Sequence, residues 1–572
     1  MSKFYYNEEQ ESYDAIVVGT GISGGWAAKE LCENGLKTLV LERGRMVKHR
    51  DDYETANMDP WDFPNAGQPT QEMIAKQEKQ NRTGYTTNAA SHMWFVNDLE
   101  HPYNETKRFD WMRGYHLGGR SLQWGRHSYR LSDIDFKANI NDGIAVDWPV
   151  RYKDIAPWYD KVETYIGVTG EKLGLPQLPD GQFEPMMELN CVESHVREKV
   201  AENFDDRVVT VGRIAHINSD KQFDGDGRTR CQFRNRCIRG CPFGAYFSSL
   251  SSTLPAAEAT GNMTLRPDSI VHEVIYDPNT KRATGVKVID RVTKEAFEFK
   301  AKVIFLCASA IASTAILMQS KSDRFPDGMG NESDQLGRNI MDHQLGAGAS
   351  GKLDGFEDNY YKGRKPGGIY LPRFRNLGGV TNRKDYKRGF GYQGGGERGN
   401  WEETIAELSF GKDLKEAVLK PGGWTFGMSG FGEVLPYEDN RMTLDYDKKD
   451  QWGLPTITFD AEFKENEWNM RKDMMGSAVE MLEKAGLRDV EPFDRPGALG
   501  IGIHEMGTAR MGRNRKTSVL NGYNQMHDVP NVYITDGAFM TSASCVNPSL
   551  TYMAFTARAA NHAAKELKKG NI

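Results

Sequence analysis

Three cysteines crowd into eleven residues, Cys231-x5-Cys237-x3-Cys241, with Pro242 closing the run RCQFRNRCIRGCPFGA. Thiolates are soft ligands suited to zinc or to iron–sulfur clusters, and a Cys-Pro ending recurs in ferredoxin-type sites. Zinc would need a fourth ligand such as His216, and three free thiols are a further reading. The other four cysteines, Cys32, Cys191, Cys307 and Cys545, stand alone, so the seven do not make a disulfide scaffold. A second chemistry is written at the N-terminus as Gly19-x-Gly21-x-x-Gly24, with Glu42 eighteen residues beyond the last glycine. Gly19 suits a tight turn, Gly21 lets the backbone touch a pyrophosphate, Gly24 permits close helix–strand packing, and Glu42 can accept from a ribose.

These residues need elements to hold them. Asp14 to Val18 reads as a buried strand, Gly25 to Asn34 as a helix, and Lys37 to Leu41 as a second strand closed by Glu42, which together make a βαβ unit. Arg45 to Phe109 is polar, with scattered aromatics, and too long for a plain connector; it reads as a surface excursion that contacts a partner or covers the nucleotide. In GYHLGGRSLQWGRHSYR the paired glycines before Ser121 allow close backbone approach to a flat ligand, with Trp124 and Gly125 continuing the loop. From Met263 to Met318 the pattern predicts strand TLRPDSIVHEVIYD, a turn at Pro278 and Asn279, strand RATGVKVID, and a last strand running into an Ala-rich helix. LGRNIMDH then leaves this sheet. The Gly- and Tyr-rich NYYKGRKPGGIY and GYQGGGERGNW read as loops able to line a polyol site. Phe431 to Asp460 alternates as strand, and Glu465 to Ala485 is helical. Near the C-terminus, GIHEMGTARMG and a strand at Val532 to Thr535 return to the first domain, with Asn547 expected as N-cap and Pro548 at N1 of a long final helix.

Composition excludes several classes. The 572 residues carry 73 Lys and Arg against 79 Asp and Glu, a net charge of -6, and there is no long basic run, so nucleic acid is not an expected partner. Mean hydropathy is -0.63, and the longest apolar run, Val303 to Met318, is too short and too rich in Ala and Ser to span a membrane. MSKFYYNEEQESYD shows no basic and apolar leader pattern, so the expectation is a chain without its own export signal: cytoplasmic, or periplasmic by co-export with a partner.

Taken in order, the fingerprint with Glu42-Arg43-Gly44, LGGRSLQW, CASAIAST, GRNIMDH, HEMGTARMG and DGAFMTSASCVNPSLT resemble the glucose-methanol-choline (GMC) oxidoreductases, FAD enzymes that oxidise alcohols. The resemblance implies a two-domain α/β fold, with a Rossmann-like FAD domain assembled from residues 1–50, 110–150, 225–343 and 495–572. The substrate domain, 151–224 and 344–494, would be built on a large antiparallel sheet, with 51–109 as the polar excursion. It places His504 as the catalytic base and Asn547 as the second polar group, and a neutral imidazole suits removal of a hydroxyl proton. It assigns FAD contacts to Gly19, Gly21, Ser23, Gly24, Glu42, Arg43, Gly118, Gly119, Ser121, Gln123, Trp124, Gly125, Val271, Asp536, Gly537, Asn547 and Thr551. Some sugar-oxidising relatives carry a histidine bonded covalently to FAD where this chain has Gln123, so non-covalent FAD is expected. The cysteine run looks like that of fructose and gluconate dehydrogenases and glucoside 3-dehydrogenases. In those enzymes three such thiolates hold a [3Fe–4S] cluster beside the flavin, and the subunit works with a small companion and a cytochrome. The resemblance therefore implies a dehydrogenase for a secondary hydroxyl of a sugar, the C3 hydroxyl of a glucoside, or alternatively a peroxide-forming oxidase with a structural metal.

Overall fold

A computed structural model describes residues 12–359, 363–399, 410–419 and 422–572. Residues 360–362 of the first Gly/Tyr-rich loop, 400 and 401 of the second, and 1–11, on which the expectation about export rests, lie outside the described residues.

The N-terminal βαβ unit forms the heart of one sheet. β1 (Tyr13–Val18) lies between β2 (Thr38–Leu41) and the C-terminal half of β8 (Ala296–Leu306), with β5 (Met263–Arg266) beyond β2 and β17 (Val532–Ile534) beyond β8, all parallel. β6 (Ser269–Asp277) and β7 (Arg282–Asp290) add an antiparallel meander to the N-terminal half of β8. β8 thus changes character along its length. Its first half alternates between exposed and buried residues, whereas Val303 to Leu306 are buried without interruption, as a parallel strand covered on both faces requires.

Two sequence expectations shift here. Helix α1 (Ile22–Glu33) starts three residues early, straight from Gly21, because Gly24 and Gly25 are packing positions inside it: a Cβ on Gly24 would lie 1.9 Å from the Gly19 carbonyl oxygen. The single strand expected over TLRPDSIVHEVIYD is broken into β5 and β6 at Pro267 and Asp268. Proline lacks the ladder N–H, and Asp268 takes φ 53, outside the strand region.

The second sheet is antiparallel, in the order β16 (Arg488–Asp494), β10 (Ala347–Leu353), β13 (Trp424–Glu433), β12 (Phe390–Arg398), β11 (Ile369–Leu371), β4 (Thr210–Val211), and β9 (His343–Gln344) pairs with the end of β13. Numbering helices of ten or more residues, α2 is Tyr152–Ile166, α3 is Cys191–Asn203, α4 is Ala310–Gln319, α5 is Glu465–Lys484 and α6 is Ser549–Lys568. Strand alternation sorts the second sheet into two unlike faces. Ala349, Ile369, Tyr392, Phe426 and Met428 pack with α3 and α5 in one apolar cluster. The opposite face carries Gly348, Ser350, Tyr370, Gln393, Gly427, Ser429 and Phe431, most of them small or polar. A third sheet joins β14 (Arg441–Lys449), β15 (Pro455–Asp460) and β3 (Asn104–Glu105), so the run expected to alternate over Phe431 to Asp460 is the end of β13 followed by a hairpin.

The polar excursion is ordered by buried hydrogen bonds. Gln80 donates to Asp98 and to the Trp111 carbonyl, each at 3.0 Å, and accepts from the Arg113 amide at 3.1 Å, while Arg113 pairs with Asp98 at 3.0 Å. These partners replace an apolar core of its own.

Candidate active site

A long cavity runs from the glycine turn, past the β14–β15 turn, to His504 and Asn547. At the turn, Gly19 takes φ +98, and a Cβ there would stand 2.5 Å from the Cys307 carbonyl oxygen, so the position demands glycine. The first turn of α1 has no side-chain cap, which leaves its leading N–H groups for an anion. Glu42 is buried and accepts from the Thr20 amide at 3.1 Å and the Thr20 hydroxyl on one oxygen, and from the Gly44 amide at 2.8 Å on the other. A carboxylate has about four acceptor sites, so one remains for a ribose hydroxyl. Thr20 Oγ1 also accepts from the Gly118 amide at 3.0 Å, which fastens the GGRSLQWG loop against the turn.

Gly19, Gly21, Ser23, Glu42, Arg43, Gly119, Ser121, Gln123, Trp124, Gly125, Val271, His504, Asp536, Gly537 and Asn547 all line this one cavity. Three other positions expected at the cofactor stand behind its wall. Gly24 packs α1 on β1, Gly118 bonds Thr20, and the buried Thr551 hydroxyl meets the Tyr159 hydroxyl at 2.8 Å and ties α6 to α2. The wall also holds residues that sequence patterns did not single out. Tyr85, Phe95 and His101 come from the excursion, Arg120, His127 and Glu505 from the loops, Tyr552 from the first turn of α6, and Asp450 and Leu454 from the β14–β15 turn. None sits in a spacing that signals chemistry; only the fold gathers them.

His504 stands on a loop held by Asp342. Asp342 Oδ2 accepts from the Gly500 and Gly502 amides at 2.8 and 2.9 Å, and Oδ1 accepts from the His504 amide at 3.0 Å. Between them Ile503 is held at φ 57, a left-handed conformation that costs a β-branched residue about 1–3 kcal/mol. Burial, then the neighbouring Glu505, pushes the Asp342 carboxyl up to about 7.

The next residue, His343, sets the tautomer. Its Nε2 lies 2.9 Å from the Ser544 carbonyl oxygen, which can only accept, so the proton is on Nε2 and Nδ1 is bare. That Nδ1 is 3.1 Å from Nδ1 of His504, which must therefore be the protonated one. His504 Nε2 keeps its lone pair. Phe431 stacks on His343 with centroids 4.4 Å apart and meets His504 edge-on at 5.6 Å. Burial, then His343 and Arg120, hold His504 well below the usual histidine range, so the imidazole is neutral.

Asn547 does not cap α6. The helix begins at Ser549 with Pro548 in the cap position and no side-chain cap bond, while Asn547 Oδ1 accepts from Gln393 Nε2 at 2.6 Å. Gln393 of the second sheet thus holds the side chain that was expected to cap the helix.

Cys231, Cys237 and Cys241 are absent from the cavity wall. Among the described residues, the His, Cys, Asp and Glu atoms that gather within 4.8 Å of one another as a ligand set belong to Asp342, His343 and His504, which are already engaged as described. The three thiols are not so gathered, with His216 or without it, and a zinc ion with Zn–S bonds of about 2.3 Å would require that. Backbone amides of Ala245, Phe243 and Tyr246 face the Cys241 thiol and that of Phe233 faces Cys231, and they favour the thiolates against burial, which pushes both thiols up. The intervening arginines fasten the loop to the excursion: Arg234 donates to Asn57 at 2.9 Å, Arg236 pairs with Asp59, and Arg239 donates to the Met58 carbonyl at 2.8 Å. Tyr246 donates to the Leu122 carbonyl at 2.7 Å, one residue from Gln123 in the cavity wall.

The N-terminal GMC oxidoreductase family model matches residues 13–345, and the C-terminal one matches residues 436–556. The chain belongs to the GMC oxidoreductase family. It is 28% identical to the 2-methyl-1,2-propanediol dehydrogenase of Mycolicibacterium austroafricanum, covering 96% of this chain and 94% of that one. It is 26% identical to the fructose dehydrogenase large subunit of Gluconobacter japonicus, covering 99% and 100%. Among solved structures, pyridoxine 4-oxidase from Mesorbium loti shares the fold, with a TM-score of 0.58 at 16% identity over 96% of this chain and 98% of that one.

As a GMC oxidoreductase the protein is an FAD-dependent enzyme acting on CH–OH groups, and the cavity fits that cofactor. Besides the uncapped α1 and the open acceptor on Glu42, several buried polar atoms on the wall have no protein partner. They are Tyr552 Oη, Arg43 Nε and both ends of the Gln123 carboxamide, which lies beside His116 without a well-formed bond. Around Glu42, Arg43 and Val271, the end that the glycine fingerprint assigns to adenosine, the cavity is closed by the β14–β15 turn. Trp452 stacks on His101 at 5.1 Å and 23°, lies under the Arg43 guanidinium at 5.3 Å, and donates to the Arg291 carbonyl at 3.0 Å; Asp450 pairs with Arg43 at 3.6 Å. Losing the stack and the cation–π contact removes about 1.5 kcal/mol from the closure of this turn, which then opens roughly tenfold more often. Trp452→Ala is therefore expected to release FAD about that much faster on dilution, followed by the rise in free-flavin fluorescence. Release at the wild-type rate would show that this hairpin does not retain the cofactor.

Proposed function

We propose that this chain is the flavoprotein of a sugar dehydrogenase that oxidises a secondary hydroxyl, the C3 hydroxyl of a glucoside, to a ketone. The observation that carries the reading is the pairing on one wall of a neutral His504, bare at Nε2, with the Asn547 carboxamide. His504 Nε2 takes the hydroxyl proton, and Asn547 Nδ2 donates to the same oxygen and orients the C–H bond. FAD, when bound, supplies the hydride acceptor. Gln123 offers no nucleophilic nitrogen, so FAD is held without a covalent bond. The second sheet turns a small and polar face, with Ser350, Ser429 and the glycines between, to the side from which Gln393 reaches Asn547, which suits a polyol.

The reading extends to Cys231, Cys237 and Cys241 as ligands of a [3Fe–4S] cluster that delivers electrons to a companion subunit and a c-type cytochrome. A polynuclear cluster, whose irons each hold one thiolate, needs the sulfurs further apart than a single ion does. Backbone amides near sulfur, as beside Cys231 and Cys241, suit such clusters, and Tyr246, five residues beyond Cys241, bonds the Leu122 carbonyl next to Gln123. The Gluconobacter japonicus relative is by name a large subunit, which suits a companion, and among the described residues no helix is long and apolar enough to cross a membrane. The ungathered thiols favour a second reading, a peroxide-forming oxidase.

Cys241→Ser separates the two. For the dehydrogenase, iron and acid-labile sulfide are lost and turnover with a cytochrome acceptor falls to background, while anaerobic bleaching of the flavin by methyl glucoside continues at the wild-type rate. Wild-type protein free of iron that consumes oxygen at its full turnover rate would establish the oxidase instead.

A further inference from the structure

We propose that Gln393 is a positioning residue that decides which end of the Asn547 carboxamide meets the substrate. This rests on the reading above, in which Asn547 touches the reacting oxygen. A carboxamide has a donor end and an acceptor end of nearly the same shape, and one rotation exchanges them. Beside a base that accepts the hydroxyl proton, the useful end is the donor, because the oxygen gains negative charge as the proton leaves.

Gln393 holds that end in place. Its Nε2 donates to Asn547 Oδ1 at 2.6 Å, and among the described residues no other hydrogen bond reaches the Asn547 side chain. With the acceptor end taken, Nδ2 is the end left to the cavity. The backbone of the anchor is fixed within the sheet. Gln393 lies inside β12 between Tyr370 of β11 and Ser429 of β13, and the Tyr370 ring is stacked on Tyr129 with centroids 4.0 Å apart. Asn547 instead belongs to the segment that enters α6 against the first sheet. The bond therefore joins the second sheet to the cavity wall and ties the orientation of a flavin-side group to the substrate sheet.

The inference separates two substitutions that a merely structural role would not. Gln393→Ala lets Asn547 rotate, and roughly a 10- to 100-fold loss in the anaerobic rate of flavin reduction follows, with FAD content and thermal midpoint unchanged. Gln393→Glu keeps the shape but can only accept, so it draws Asn547 Nδ2 to itself and turns Oδ1 toward the substrate; its rate falls below that of Gln393→Ala. The test is a double-mutant cycle with Asn547→Ala, followed by stopped-flow reduction with methyl glucoside. Both Gln393 substitutions are expected to leave the Asn547→Ala rate unchanged, which also controls for the added charge of Glu. Equal losses with and without Asn547, or Gln393 variants that reduce at the wild-type rate, would overturn the positioning role alone. A wild-type rate in Asn547→Ala itself would overturn the substrate contact and the positioning role together.

Discussion

His504→Ala is expected to slow substrate-driven bleaching of the flavin by about 10²–10⁴-fold, the range for loss of a general base, with FAD still bound. Cofactor retention follows because the wall around the glycine turn and Glu42 makes no bond to His504. The loss follows from the tautomer chain. The Ser544 carbonyl accepts from His343 Nε2–H, His343 Nδ1 accepts from His504 Nδ1–H, and a single lone pair is left on His504 Nε2. Burial also keeps that imidazole neutral, so the base is not lost to protonation near pH 6.5, where an exposed histidine would be. His504→Gln keeps a polar side chain without a basic nitrogen, and it should be as slow as alanine. Anaerobic stopped-flow absorbance checks both, and a rate within a few-fold of wild type in either would remove His504 from the proton transfer.

Asp342→Asn is expected to be nearly as damaging, although Asp342 need not touch substrate. Three backbone amides converge on its two oxygens. Asparagine supplies one acceptor oxygen and one NH2, so at least one N–H faces another donor, at about 1–3 kcal/mol. That is comparable to the strain held at Ile503, and a loop so loosened lets His504 drift. A misplacement of about 1 Å costs on the order of 100-fold in rate. The pH dependence has the same origin. Burial raises the Asp342 carboxyl to about 7, and protonation puts a hydroxyl donor among the amides. The rate of the wild-type enzyme should accordingly fall as pH drops through about 7, while Asp342→Asn, which mimics the protonated form, should be slow and flat between about pH 6 and 8. A flat wild-type profile over that interval, or an Asp342→Asn enzyme of normal rate, would contradict the assignment.

Much of the fold was legible because its signals are local. The glycine spacing, the buried runs of β1 and β8 and the alternation in β13 to β15 are properties of neighbouring residues, and sterics and burial turn them into structure with little help from elsewhere. Where local reading slipped, a contact from afar had intervened. Gly24 was read as a packing position just ahead of the helix and lies inside α1, which starts at Ile22, and Asn547 looked like a cap and is held by Gln393. The cysteine spacing was conspicuous in the chain, yet spacing in sequence does not specify separation in space, and the thiols are not drawn into a single-ion site.

Residue types and spacing alone determined that this chain would bind a dinucleotide at Gly19 to Gly24, carry a soft-ligand cysteine run, and build a parallel sheet from separated segments. The tertiary structure decided the chemistry of the wall. It brought His343 against His504 from 161 residues away and Gln393 against Asn547 from 154, and it closed the adenosine end with Trp452. The physical reason is that a hydrogen bond depends on distance and direction in space. Strand order and loop path set those, and no pattern of neighbouring residues encodes them.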